Sequence, residues 1–190
     1  MTKKGRLVIV SAPSGAGKGT VLREVTRLRP GLRFSVSATT RAPRAGEEDG
    51  THYYFITREE FDAMIGRGEF LEHETYASNS YGTPIKPILQ NIADGVDTIL
   101  EIEVKGARQV RQKMDDTISI FISPPSEEEL RRRLVGRGTN SEEDVERRLA
   151  IARDEMLAVE EFTFNVVNDD AERAAREILA ILDFNREDYL

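Results

Sequence analysis

The segment SAPSGAGKGT at residues 11–20 has the residue types and spacing of a phosphate-binding loop. It nearly matches G-x-x-x-x-G-K-[ST], in which glycines let backbone N–H groups turn towards phosphate oxygens and the lysine reaches the terminal phosphates. A strand pattern, RLVIVS, precedes it and a helical pattern, KGTVLREVTRL, follows, so a helix N-terminus adds partial positive charge. A glycine-rich turn that binds nothing would not need the lysine. The predicted nucleotide-binding residues are Ala12, Pro13, Ser14, Gly15, Ala16, Gly17, Lys18, Gly19 and Thr20.

Two positions of this loop depart from the pattern. Ala12 replaces the first glycine, where a small residue is tolerated if its dihedral angles are ordinary. Gly19 replaces the serine or threonine whose hydroxyl normally contacts magnesium. Because Mg²⁺ keeps several waters, we expect phosphate oxygens and water to fill its shell and Thr20 to bind a phosphate oxygen. A second interpretation, that Gly19 is needed for a positive φ, stays open.

Composition limits the other functions that this chain could have. Its 190 residues suffice for one domain, and 27 basic against 34 acidic residues give a net charge of −7. An acidic chain is a poor general binder of nucleic acid or of anionic membranes. It has no cysteine, and its two histidines, His52 and His73, are too far apart for a short metal motif. No apolar run approaches the roughly 20 residues that span a bilayer, so we expect a cytoplasmic protein.

Strand and helix patterns alternate along most of the chain. Nearly all-apolar strands in such an alternation predict a parallel sheet covered on both faces. Capping patterns at Thr57–Glu60 and Ser126–Glu129 predict two helix starts. Thr83-Pro84 is expected to open another helix, whose apolar face would contain Ile85, Ile88, Leu89 and Ile92. Residues 36–84 and an arginine-rich hairpin near 131–148 interrupt the alternation.

A second cluster of charged residues lies in the first interruption. Arg41 and Arg44 flank a proline, and two planar guanidinium groups held close together suit a phosphate. A solvated basic loop is the alternative. The tyrosines of THYYF and SYGTP would by themselves most often pack in the core or on the surface. Glu72 alone would most often be an outward-facing glutamate on a strand.

These segments together resemble the guanylate kinases, which move phosphate from ATP to GMP. The resemblance runs through VSAPSGAGK, SVSATTRAPRAGEEDGTHYYF, EFLEHE, YGTP, FISPPS, RRRLVGRGT and VVNDD, nearly the whole chain. It implies an α/β P-loop kinase fold of three layers, with a parallel core sheet, an inserted GMP-binding subdomain and an arginine-rich lid. The implied organisation is a single domain over 4–184, with its core at 1–35, 85–125 and 157–190, the insertion at about 36–84 and the lid at about 126–156.

The resemblance also implies roles for individual residues. The GMP-binding set is Ser37, Arg41, Arg44, Tyr53, Glu72, Tyr81, Thr83 and Glu103. The ATP-binding set adds Arg133, Arg137 and Asn168 to the phosphate loop. The catalytic set is Lys18, Arg41, Arg137 and Arg148. Glu101 is assigned to the magnesium shell, through water, as the only metal-side residue.

The implied chemistry suits these residue types. Guanine offers two donors on its pairing edge, which one carboxylate, Glu72, can accept, while Ser37 can donate to the O6 acceptor. A phosphate oxygen is already a nucleophile, so direct in-line transfer to GMP, and also to dGMP, needs positioning, charge stabilisation and Mg²⁺ rather than a base. A closing lid would exclude water. The product would be GDP, in purine nucleotide metabolism and GMP recycling.

The acidic strand TILEIE departs from the Asp-x-Asp that this family often has. Its alternation puts Glu101 and Glu103 on one face at the carboxyl end of the strand, where ligands of parallel sheets gather. Other functions stay open: a kinase for another nucleoside monophosphate such as AMP, or a non-catalytic guanylate-kinase-like binding module. A regulatory GTPase is disfavoured, since no N-K-x-D motif occurs. We expect small-molecule substrates, no nucleic acid or membrane partner, and a monomer or homodimer.

Overall fold

The computed structural model of the protein describes residues 4–76, 78–136 and 142–187. The strands and helices within these ranges are, in chain order, β1 Leu7–Ser11, α1 Lys18–Leu28, β2 Arg33–Phe34, β3 Ala38–Thr39, β4 Tyr54–Phe55, α2 Arg58–Gly66, β5 Phe70–Tyr76, β6 Asn79–Pro84, α3 Ile85–Ala93, β7 Thr98–Glu101, α4 Val104–Lys113, β8 Thr117–Ser123, α5 Glu127–Val135, α6 Glu142–Met156, β9 Phe164–Val167 and α7 Ala171–Glu187. A short 3-10 turn, Val159–Glu161, precedes β9.

The core sheet has the strand order β2-β7-β1-β8-β9. The pairs β2–β7 and β8–β9 are parallel, in register at Arg33 with Thr98 and at Ile120 with Phe164. The run from Leu7 to Val10 is fully buried, which explains why β1 reads as continuous apolar sequence rather than as an alternation. The predicted α/β fold with a parallel core sheet is thereby confirmed.

The chain divides into two compact units, and β1 contributes residues to both. The first unit comprises Met1–Ile9 and Arg33–Ile118. It contains a second sheet of order β4-β3-β6-β5, in which β6 pairs antiparallel with β3 and with β5. Phe61 of α2 and Phe70 of β5 pack with ring centroids 4.5 Å apart beneath this sheet. The predicted start of α2 is confirmed, because the Thr57 side chain accepts a hydrogen bond from the Glu60 N–H at 3.2 Å.

The second unit comprises Val10–Leu32 and Ser119–Leu190, and in it α1 packs against α7. Helices α5 and α6 share a small apolar core, formed by Leu130, Leu134, Val145, Leu149 and Ala152. The predicted cap of α5 is confirmed, since Ser126 Oγ accepts from the Glu129 N–H at 3.1 Å. The division of the chain into core, insertion and lid stays a prediction.

The predicted opening of α3 at Thr83-Pro84 is confirmed, since Pro84 ends β6 and is the N-cap of the helix that begins at Ile85. One detail of its predicted apolar face is wrong. In that helix Ile88 is 1% exposed but Leu89 is 48% exposed, so Leu89 does not belong to the buried face. Helix α3 is only nine residues long and packs on β7, so one narrow stripe is enough to cover the contact. None of the helices in the described ranges is long and apolar enough to cross a membrane.

Candidate active site

The phosphate loop is shaped by two glycines with left-handed backbone. Gly15 and Gly17 have φ angles of 90° and 91°, which other residues rarely adopt. A Cβ on Gly17 would also lie 2.6 Å from the Asn168 side-chain nitrogen. Helix α1 begins at the next residue, Lys18, and the Gly17 carbonyl accepts from the N–H groups of the first turn, at 3.0 Å from Thr20. The loop therefore leads into a helix N-terminus, which favours an anion.

Asn168 and Arg133 donate hydrogen bonds to the backbone of this loop. The Asn168 side-chain amide donates to the Ala16 carbonyl at 2.7 Å, and Arg133 Nη1 donates to the same carbonyl at 3.0 Å. Arg133 Nη2 also donates to the Asn168 carbonyl at 2.9 Å. Arg133 Nε binds Glu129 at 2.8 Å, and hydrogen bonds from Arg132 and Arg133 lower the pKa of Glu129 to about 2. Both predicted ATP-site residues thus lie at the loop, where they hold its backbone.

Two residues of helix α6 bind Ser14 of the loop. Arg148 donates to Ser14 Oγ through Nη2 at 3.0 Å and Nε at 3.3 Å. Glu155 accepts from the Ser14 N–H at 2.9 Å. Arg148 belonged to the predicted catalytic set, whereas the sequence reasoning missed Glu155. The spacing of seven residues, two turns on one helix face, was the signal that could have found it. Arg137 lies outside the described residues.

Gly19 has neither a conformational nor a steric need to be glycine. It lies in α1, its φ is not positive, and no atom lies within 4 Å of a Cβ built there. The interpretation that Gly19 serves a positive φ is therefore wrong. Thr20, the next residue, is exposed and accepts a hydrogen bond from Arg23 at 3.1 Å.

In the first unit, a buried carboxylate and two hydroxyls form a connected chain. Glu72 of β5 lies opposite Thr83 of β6, and Thr83 Oγ1 donates to Glu72 Oε1 at 2.5 Å. Ser37 Oγ lies 3.4 Å from Thr83 Oγ1. Glu72 is only 7% exposed, and this burial raises the pKa of its carboxyl although the Thr83 hydrogen bond opposes the shift. The site is therefore a largely dry acceptor with hydroxyls beside it.

Arg41 and two tyrosines form a second cluster in the same unit. The Arg41 guanidinium lies 5.4 Å from the centre of the Tyr53 ring, and the Tyr53 and Tyr81 rings are 6.2 Å apart. Arg41 makes a two-pronged ion pair with Glu47, both N–O distances being 2.9 Å. Glu47 also accepts from the Arg44 N–H at 2.7 Å. Arg41, with help from Arg44, lowers the pKa of Glu47 to about 2.

Glu47 is a second residue that the sequence reasoning missed. It holds the plane of Arg41 and the backbone of Arg44 at once, and so closes the loop that carries both arginines. Its position three residues after Arg44 and six after Arg41 was the available signal.

Glu101 and Glu103 are both exposed, with buried Ile102 between them, and the strand ends at Glu101. The expected alternation of exposed and buried residues therefore holds from Glu101 to Glu103, although Glu103 lies beyond the end of the strand.

The fold and the loop together define the class of protein. A parallel α/β sheet whose first strand leads through a glycine-shaped loop into a helix beginning with lysine is the P-loop kinase architecture. The guanylate kinase family model matches residues 4–184. The chain belongs to the guanylate kinase family.

Individual relatives are similar over almost their full lengths. The chain is 52% identical over 180 residues to a guanylate kinase of Rubrobacter xylanophilus, covering 95% of this chain and 94% of that one. It is 44% identical to a guanylate kinase of Clostridioides difficile, over 95% of this chain and 88% of the relative. The crystal structure of guanylate kinase from Anaplasma phagocytophilum is similar, with a TM-score of 0.76 and 36% identity over 96% of this chain and 87% of that one.

Proposed function

We propose that the chain transfers the terminal phosphoryl group of ATP to GMP, and also to dGMP, giving ADP and the nucleoside diphosphate. The observation that carries this proposal is the buried Glu72 with Thr83 and Ser37 beside it. Guanine presents the N1–H and the exocyclic amine as donors, which a carboxylate accepts together. Adenine presents an acceptor at N1, so it would leave a buried negative charge facing a lone pair.

The GMP phosphate binds at the Arg41 cluster in this proposal. Tyr53 and Tyr81 supply hydroxyl donors, and Arg41 and Arg44 supply charge that matches a phosphate dianion. Glu47 holds the Arg41 guanidinium beside the Tyr53 ring, so that the fork is oriented before the substrate arrives. Glu103 contributes from the N-cap position of α4 on the guanine side.

The ATP phosphates bind the loop and the start of α1. The backbone N–H groups and the helix N-terminus receive the phosphate oxygens, and Lys18 neutralises the charge that develops on the transferring group. Arg148 and Arg137 add positive charge in the transition state, while Arg133 and Asn168 keep the loop in shape. Closure of the lid, about residues 126–156, excludes water from the reaction.

The residues present fit a magnesium ion that is carried by ATP. Within the described residues, no group of three or more histidine or acidic side chains could hold a metal by itself. Glu101 offers an exposed carboxylate at the carboxyl end of β7, a hard oxygen donor of the kind Mg²⁺ prefers. Glu101 would therefore orient a water of the ion, and when bound the ion neutralises phosphate charge.

The test is an assay of ADP release with GMP, dGMP, AMP and UMP as acceptors, repeated with Glu72→Ala. We expect turnover with the two guanine nucleotides only, and its loss in the variant. Turnover with AMP would favour the other nucleoside monophosphate kinases, and no turnover with any acceptor would favour a binding module. Sedimentation of the same preparation distinguishes a monomer from a homodimer.

A further inference from the structure

Gly106 is a buried glycine inside helix α4, where glycine is a poor helix former compared with alanine. Its φ is not positive, so its backbone conformation does not require glycine. A Cβ at this position would instead lie 3.0 Å from Glu72 Oε2, 3.4 Å from Cδ and 3.5 Å from Cγ. All three nearest atoms belong to one side chain, the buried carboxylate. The missing Cβ is therefore explained by the space that Glu72 occupies.

The helix side of this contact is held in place by side-chain hydrogen bonds to β5. Helix α4 is fastened along β5, which is the edge strand of its sheet. The Gln109 side chain accepts from the His73 N–H at 3.1 Å and donates to the His73 carbonyl at 3.0 Å, as a neighbouring strand would. Lys113 Nζ donates to the Phe70 carbonyl at 3.0 Å. The distance between helix and strand is thus fixed on both sides of Glu72.

The carboxylate is fixed from its other side as well. Thr83 Oγ1 holds Glu72 Oε1 at 2.5 Å, so rotation or retreat of the side chain breaks this hydrogen bond in a largely dry site. Because helix α4 is fastened to β5, a methyl group on residue 106 would displace the carboxylate and disturb its hydrogen bond to Thr83.

We propose that Gly106 is a specificity-determining positioning residue, whose missing side chain lets Glu72 take the position from which it binds guanine. The inference rests on the proposed role of Glu72. Gly106 does not touch the nucleotide in this account; it acts through the Glu72 carboxylate.

The test combines Gly106→Ala with Glu72→Ala, and Gly66→Ala is the matched control. Gly66 ends α2 in the same unit, its φ is not positive, and a Cβ there meets nothing within 4 Å. For Gly106→Ala we expect kcat/KM for GMP to fall at least tenfold while KM for ATP is unchanged. Gly66→Ala should leave both values as in the wild type.

Stability gives a readout that does not depend on activity. In the wild-type background, Gly106→Ala should lower the urea midpoint of unfolding, because the methyl group displaces Glu72. In the Glu72→Ala background the contact is gone, so the same substitution should raise the midpoint through better helix propensity. Glu72→Val provides a second background if the alanine variant does not fold. A change of the same sign in both backgrounds overturns the inference.

The failure of this inference and that of the proposed function are distinguishable. If Glu72→Ala loses activity with GMP but Gly106→Ala keeps it, the positioning role of Gly106 is refuted and the role of Glu72 stands. If Glu72→Ala keeps GMP activity, the guanine-binding role of Glu72 is refuted, and the specificity role of Gly106 is refuted with it.

Discussion

Replacing Glu72 by glutamine should make the protein more stable and at the same time a much poorer GMP kinase. Glutamine has almost the same shape, and its carbonyl oxygen can still accept from Thr83, which now holds the carboxylate at 2.5 Å. The change therefore removes one buried charge and little else. The two consequences, for substrate and for fold, have separate magnitudes and separate assays.

The substrate effect follows from the pairing edge of guanine. The amide accepts one of the two guanine donors and presents its own N–H to the other. One lost polar contact costs about 1–3 kcal/mol, so kcat/KM for GMP should fall roughly 10–200-fold while KM for ATP stays the same. Equal losses with both substrates would show that Glu72 serves the fold rather than guanine.

The stability effect follows from the pKa of Glu72, which burial raises above its usual value of 4.5. The folded protein therefore binds this proton more tightly than the unfolded chain does. The resulting stabilisation is present below the unfolded pKa and is lost as pH rises through the folded pKa. Because glutamine is uncharged at every pH, the variant should be more stable than the wild type at pH 7. The advantage is about 1.4 kcal/mol for each unit of pKa shift and should vanish near pH 4.

Urea unfolding between pH 4 and pH 8 measures this difference directly. Glu69→Gln is the control of opposite sign, because the hydrogen bond from Arg67 lowers the pKa of Glu69. At pH 7 the Glu69→Gln variant should be slightly less stable than the wild type, because the ion pair with Arg67 is lost. This difference should shrink as the pH falls to 4. If Glu72→Gln destabilises the protein at pH 7, the description of Glu72 as a costly buried charge is refuted.

Four further substitutions test the ATP side of the proposal. Lys18→Met should reduce turnover below a tenth of wild type without changing the melting temperature; greater activity would contradict the role of the loop. Glu155→Ala removes the acceptor of the Ser14 N–H and should raise KM for ATP about tenfold, the scale of one charge-assisted hydrogen bond, while KM for GMP is unchanged; exposed Glu160→Ala is the control. Glu101→Gln should raise the magnesium concentration for half-maximal rate, and Gly19→Ser, which the open space permits, should partly restore it. If the effects of Glu101→Gln and Gly19→Ser add in the double variant within about 0.5 kcal/mol, the two positions do not act on the same metal ion.

Much of the architecture could be predicted because its signals are local. The run Lys18–Leu28 is helical in the sequence pattern and in the structure, and the Thr57 and Ser126 caps lie where their spacing predicts them. Helix caps and hydrophobic periodicity depend on residues within one or two turns of each other. The phosphate loop could also be predicted, since its glycines and lysine are close together in the chain. The strand and the helix that flank it have clear sequence patterns.

The sequence by itself therefore determined the elements, the phosphate loop and, through the order of its segments, the family. Only the tertiary structure decided what supports the functional side chains: Glu155 on Ser14, Glu47 on Arg41 and, above all, Gly106 against Glu72. Glu72 and Gly106 lie on a strand and a helix far apart in the chain, and no periodicity relates them. Their contact exists because α4 packs along the edge of β5. The space available to a buried carboxylate is set by that packing distance, which residue types and local spacing do not encode.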